Sequence, residues 1–124
     1  MNTSIAHILL VGLGGALGSM LRLGVSGWIP AGRLPWGTMA ANLAGSLLIG
    51  WLLGRIGPVT EENQHWQAFL VVGFCGGFTT FSSFSWQTLE QLRTGQVATA
   101  ALHVVGSVAV CLLGTWFGWR LGRA

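Results

Sequence analysis

Residues 73–85 read Gly-Phe-Cys-Gly-Gly-Phe-Thr-Thr-Phe-Ser-Ser-Phe-Ser, with Phe81 and Phe84 three positions apart. That spacing sets both rings on one face of a helix. A ring carries the positive part of its quadrupole on its edge, so aligned edges can face an anion without bringing a formal charge. Ser82, Ser83 and Ser85 add hydroxyl donors beside them. The glycines and threonines before Phe81 interrupt an otherwise apolar helical pattern. A half-helix ending between Gly76 and Thr79 leaves carbonyl oxygens free, which suit a hard cation such as Na⁺. The half-helix that follows opens with free N–H groups, which favour an anion. In a bilayer, irregular backbone survives only where protein or a water-filled path shields it. The break therefore points to an ion or substrate path.

Other polar residues recur at helical spacing. Thr38, Asn42 and Ser46 fall on nearly one face of a helix. Asn42 has two readings: an interhelical hydrogen bond, or a carboxamide that turns its N–H donors toward an anion. Thr99, His103, Ser107, Cys111 and Thr115 also recur every four residues, with His103 and Ser107 the central candidates. Serine and threonine can back-bond to their own helix, which would leave part of this stripe inert. Arg22 lies 17 residues after the start of its span, roughly 26 Å along a helix at 1.5 Å per residue. It is either a snorkelling residue at the far interface or a cationic lure at an anion vestibule.

The elements that must position these groups follow from composition. Only 7% of the 124 residues are charged and 52% are hydrophobic, against about 25% charged in a soluble domain. This is an integral membrane protein. Spans need about 20 residues each, so the chain has room for four and no extramembrane domain. The expected spans are residues 5–25, 36–56, 66–92 (broken in its middle) and 97–119. They form a single transmembrane domain over residues 1–124. Ser4 is the expected N-cap of the first, which is read as a retained helix rather than a signal peptide. Trp28, Trp36, Trp66, Trp116 and Trp119 sit near span ends, as an aromatic belt requires.

Small residues one turn apart, Gly14/Gly18, Gly50/Gly54, Gly73/Gly77 and Gly114/Gly118/Gly122, read as surfaces where helix backbones approach closely. Residues 12–18 superficially match a dinucleotide fingerprint, but no strand precedes them and no acidic residue follows at the required distance. Cys75 and Cys111 fall within apolar spans and read as packing residues, not a disulfide. The net charge of +3 comes from arginines scattered singly at span ends, which argues against nucleic acid. Arg55, Arg120 and Arg123 share one side of the membrane, while Arg33 and Arg93, with Arg22 near its span's end, share the other. Orientation follows an imbalance of such charges, and here there is almost none. Insertion in both orientations, giving an antiparallel dimer, and insertion on a small bias both remain open.

No Asp, Glu or Lys lies inside a span, apart from Glu90 near the end of the third. A proton-coupled exporter normally needs such a group, and the deep acidic residue of a small multidrug transporter's first span is missing. A non-transporting assembly subunit held by glycine surfaces is the other alternative. No nucleophile–base pair, metal-ligand cluster or phosphate loop supports an enzyme. A charge-free path of hydroxyls, one amide and phenyl edges suits passive conduction of a small, hard anion.

Three segments, residues 14–22, 36–46 and 73–85, resemble in order and spacing the Fluc (CrcB) family of fluoride channels. The resemblance implies an all-α membrane protein: an antiparallel, dual-topology homodimer with two fluoride pores, one central Na⁺ and a bacterial inner-membrane location. It implies that Asn42 helps coordinate fluoride and that Phe81 and Phe84 line each path across the dimer. Ser83, Thr38, Ser107 and His103 would form a polar track, and Arg22 would sit near the vestibule. Gly76 and Thr79 would give backbone carbonyls to Na⁺.

Overall fold

The computed structural model describes residues 3–124. Helices α1 (Ile5–Trp28), α2 (Trp36–Ile56) and α5 (Val97–Gly122) are continuous, whereas the third span divides into α3 (64–78) and α4 (Phe81–Arg93). All four spans are long and apolar enough to cross a membrane, and no strand occurs among the described residues. The expected spans reappear, α2 unchanged and the others longer by less than a turn at an end.

The ends have local causes. The Ser4 hydroxyl accepts from the His7 N–H at 3.3 Å, as expected of an N-cap. Ile29 is extended (φ −91°, ψ 120°) because the following Pro30 disfavours a helical conformation there. Past α4, Gly95 takes φ +76°, while its N–H reaches Leu92 O and that of Gln96 reaches Gln91 O. This Schellman pair closes the turn into α5 at a residue without a Cβ. Asn63 ties the turn between α2 and α3 by donating to Ile56 O at 3.2 Å and Pro58 O at 2.9 Å.

One feature was not anticipated: Gln67–Cys75, within α3, is π-helical. Its hydrogen bonds run one residue further than in an α-helix, a rare arrangement that favours functional sites.

The helices pack chiefly as two pairs, α1 against α3 and α2 against α5, while α4 rests mainly on α5. Glycine makes both pairs possible. A Cβ on Gly14 or Gly18 would overlap the carbonyl oxygen of Phe69 or Phe74. Across the second pair, a Cβ on Gly50 would overlap Thr115 O, and one on Gly118 would overlap Leu47 O. The expected small-residue surfaces are therefore backbone-to-backbone seams. Gly106, by contrast, has no atom near its missing Cβ.

The two kinds of glycine should respond with opposite sign to one methyl group. Gly118→Ala should destabilise the protein by about 1–3 kcal/mol through overpacking. Gly106→Ala should stabilise it by about 0.5–1 kcal/mol, because alanine loses less backbone freedom in a helix. Thermal unfolding in detergent reads both.

Candidate ion path

The candidate site is built around the interruption between α3 and α4. Thr79 (φ −88°, ψ 160°) and Thr80 (φ −151°, ψ 114°) are extended, so the helical ladder stops and restarts there. Exposed backbone groups in an apolar setting need partners, and most have them. Asn42, from α2, braces Thr80 on both sides. Its Oδ1 accepts from Thr80 N at 2.7 Å, and its Nδ2 donates to Thr80 O at 3.2 Å. The Thr79 N–H and hydroxyl both donate to Cys75 O, at 3.0 and 2.8 Å. The Thr80 hydroxyl caps α4 by accepting from Ser83 N at 3.1 Å. Arg22 Nε donates to Gly77 O at 3.0 Å, joined by the Ser19 hydroxyl at 3.4 Å. Among the described residues, no side chain or loop N–H reaches the carbonyl oxygens of Gly76 or Thr79.

Beside the interruption lies an open cavity of about 590 Å³ lined by Asn42, Gly76, Thr79, Phe81, Phe84 and Ser107, among others. Ser46, Thr80, Cys75 and Cys111 add to its walls, and no ionisable Asp, Glu, Lys or Arg does. The rings of Phe81 and Phe84 are 5.3 Å apart and tilted by 38°. Phe81 is 78% exposed. Phe84 meets the His103 ring edge-on at 4.9 Å.

Behind Phe84 runs a second layer of polar groups. His103 is fully buried, with Nδ1 3.2 Å from the Thr88 hydroxyl, which itself donates to Phe84 O at 2.8 Å. With that hydroxyl proton engaged, Nδ1–H is the donor to Thr88, and His103 Nε2 keeps a lone pair. The ring can then donate to an anion at Nε2 only when both nitrogens are protonated. His103 Nε2 and the Ser107 hydroxyl, one helical turn apart, are buried without a partner among the described residues. Thr38, also buried, accepts from Gln87 Nε2 at 2.8 Å, leaving Gln87 Oε1 unpaired. Thr38 and Gln87 share a separate recess of about 380 Å³ with Arg33, between α2 and α4.

The structure thus gathers Asn42, Gly76, Thr79, Phe81, Phe84 and Ser107 around one cavity. It places Thr38, Ser83, His103 and Arg22 outside that lining. For Asn42 the interhelical role is present, and one of its two amide N–H groups has no partner in the protein among the described residues. Arg22 is anchored on a carbonyl at the end of α3. Thr80, Gln87 and Thr88 were not singled out from the sequence. Ser83, Gln87 and Gln91, four apart on one face of α4, were the signal that could have found Gln87.

The family model described as CrcB-like protein, Camphor Resistance (CrcB), matches residues 9–119. The chain belongs to the CrcB family. A Rhodospirillum rubrum protein named fluoride-specific ion channel FluC is 48% identical over 116 residues, covering 89% of each chain. Proteins of the same name from Thermus thermophilus and Geobacter sulfurreducens are 44% and 43% identical, covering 97% and 94% of this chain and 96% of each relative. This CrcB chain is accordingly a multi-pass membrane protein of an ion-channel family, not an enzyme.

Removing the Asn42 brace should expose its importance to the scaffold. Asn42→Ala strands the N–H and C=O of Thr80, at about 1–3 kcal/mol for each buried group left unpaired. Asn42→Asp keeps an acceptor for Thr80 N but sets a carboxyl against the Thr80 carbonyl, at about 2.5–3.5 kcal/mol for the charge within the bilayer, and should not rescue stability. Thermal unfolding should place both variants below the wild type.

Proposed function

We propose that this CrcB protein is a fluoride-selective channel, through which fluoride leaves the cytoplasm down its electrochemical gradient. The observation that carries the reading is the uncharged cavity at the interruption, where Phe81 and Phe84 stand beside Asn42 and Ser107. A small anion that sheds its water needs donors without a competing fixed charge. One amide N–H, hydroxyls and ring edges supply them. The relatives named fluoride-specific ion channels support the choice of ion. Entry as HF and dissociation at neutral pH would trap the anion inside, so a passive pore suffices for export and resistance. A larger halide gains no compensating contacts in a narrow path, which is the basis proposed for exclusion of chloride.

The working unit in this reading is an antiparallel homodimer of one four-span domain in the bacterial inner membrane, with two pores. Nearly balanced arginines permit both orientations. Phe81, mostly exposed in the single chain, would complete a path with the partner subunit. Thr38, Ser83, Ser107 and His103 extend the polar track along α2, α4 and α5. Arg22 lies at the vestibule side of α1.

A Na⁺ ion at the dimer centre fits the donor set. The carbonyls of Gly76 and Thr79 remain unclaimed, and the Gly76 Cβ position is open, whereas Gly77 O is taken by Arg22. Hard cations accept such oxygens. Bound there, the ion would tie the two interruptions together as a structural element.

Purified protein in liposomes should release fluoride and not chloride; comparable fluxes would reject the selectivity. Phe81→Ile with Phe84→Ile should abolish efflux while leaving the dimer intact, whereas an accessory subunit would show no flux to lose. With Cys75 and Cys111 replaced by serine, Gly76→Cys should cross-link to its own copy across the dimer axis. A chain that stays monomeric under oxidation would refute the proposed assembly.

A further inference from the structure

At the opposite end of the fold from the turn between α1 and α2, two imidazoles lie together. His7, in the first turn of α1, and His65, at the start of α3, have ring centroids 5.0 Å apart. They share a recess of about 630 Å³ with Ser4, Thr60, Glu61 and Gln64. No arginine lines it. Two of the chain's three carboxylates, Glu61 and the adjacent Glu62, belong to the same turn.

We propose that His7 and His65 form a binding site for a divalent transition metal such as Zn²⁺, with Glu61 as the third ligand. His7 carries the argument. It is only 6% exposed, and its Nε2 is buried without a hydrogen-bond partner among the described residues. Its Nδ1 is 2.8 Å from the Ser4 hydroxyl, which also accepts from the His7 backbone N–H. A hydroxyl oxygen has two acceptor lone pairs, so it can hold both N–H groups at once. With Nδ1–H donating to Ser4, Nε2 carries a bare lone pair that meets no donor among the described residues, which is the state a metal ion satisfies. An outer partner fixing the far ring nitrogen is the usual companion of a ligating histidine.

The remaining ligands are exposed. His65 is exposed and can turn toward the ion. Zinc binds imidazole nitrogen at about 2.0–2.1 Å, and rings this close bring two nitrogens to one ion with a modest rotation. Among the described residues, no third ligand stands within reach as the side chains are placed. Glu61 lies four residues before His65, in the same recess, and can close that gap; two histidines and a glutamate are an established zinc ligand set. Such a site would clamp the start of α1 to the start of the third span, well away from the Asn42 cavity. It does not depend on the transport reading.

The test is titration of tag-free, purified full-length protein in detergent with Zn²⁺ alone, competed against a chromophoric chelator. One saturable ion per chain is expected, with Mg²⁺ giving none. His65→Ala, an exposed substitution that should leave folding and fluoride efflux unchanged, should lose affinity at least tenfold. Ser4→Ala should weaken binding by about 10–100-fold, the range for loss of an outer partner. Zn²⁺ should also raise the unfolding temperature of the wild type and not that of His65→Ala. Absence of saturable binding, or binding undiminished in His65→Ala, overturns the proposal.

Discussion

A helix that stops and restarts in an apolar setting must find partners for the backbone groups it releases, and the Asn42–Thr80 pair answers that need. One carboxamide matches the donor and the acceptor of a single extended residue, much as a neighbouring strand would. Around it, Thr79 and Thr80 turn their own hydroxyls back onto the chain, and Arg22 occupies the Gly77 carbonyl. What is left over after these assignments includes the oxygens of Gly76 and Thr79, one amide hydrogen of Asn42 and the hydroxyl of Ser107, with His103 Nε2 and Gln87 Oε1 unpaired behind them among the described residues. The chemistry available to an ion lies in what these contacts leave unpaired.

Holding that remainder in place falls to the glycine seams. At Gly14 and Gly18 along α1 with α3, and at Gly50 and Gly118 along α2 with α5, main chain meets main chain with no side chain between. Such contacts have no rotamers to relax, so the ends of α2 and α3 that carry Asn42 and Gly77 are fixed relative to their partners. The helix bearing Phe81, Phe84 and Gln87 is held differently. It rests on α5 through side chains such as Thr88 on His103, and much of its apolar surface, Phe81 and Trp86 included, is uncovered in the single chain. A stiff frame and a lightly seated aromatic helix meet at the interruption.

Much of this was legible in the residues. Apolar runs between Pro, Gly and Arg markers located the spans, Ser4 announced the first cap, and four-residue glycine spacing foretold the seams. The glycine–threonine cluster marked where α3 gives way to α4. The partners were not legible, because they depend on how distant helices align. Nothing local to Arg22 indicates Gly77, and Asn42 gives no hint that it meets Thr80 through both ends of its amide. Gln87 escaped notice for a different reason: it follows a stretch already rich in candidates, and only its bond to Thr38 separates it from a solvated glutamine. The π-helical segment is hidden because residues 67–75 are ordinary helix formers and glycine, with no signature of a wider ladder.

That segment sets the azimuth of everything after it. An α-helix advances about 100° per residue, at 3.6 residues per turn, and a wider coil accommodates an additional residue over the same length. Removing one residue from 67–75 would let the ordinary ladder re-form and leave Gly76 and Thr79 facing much as they do, whereas the same deletion in a regular α-helix would turn everything after it by about 100°. The wider coil, more than the identity of any residue in it, therefore keeps the unclaimed oxygens in phase with the turns before it.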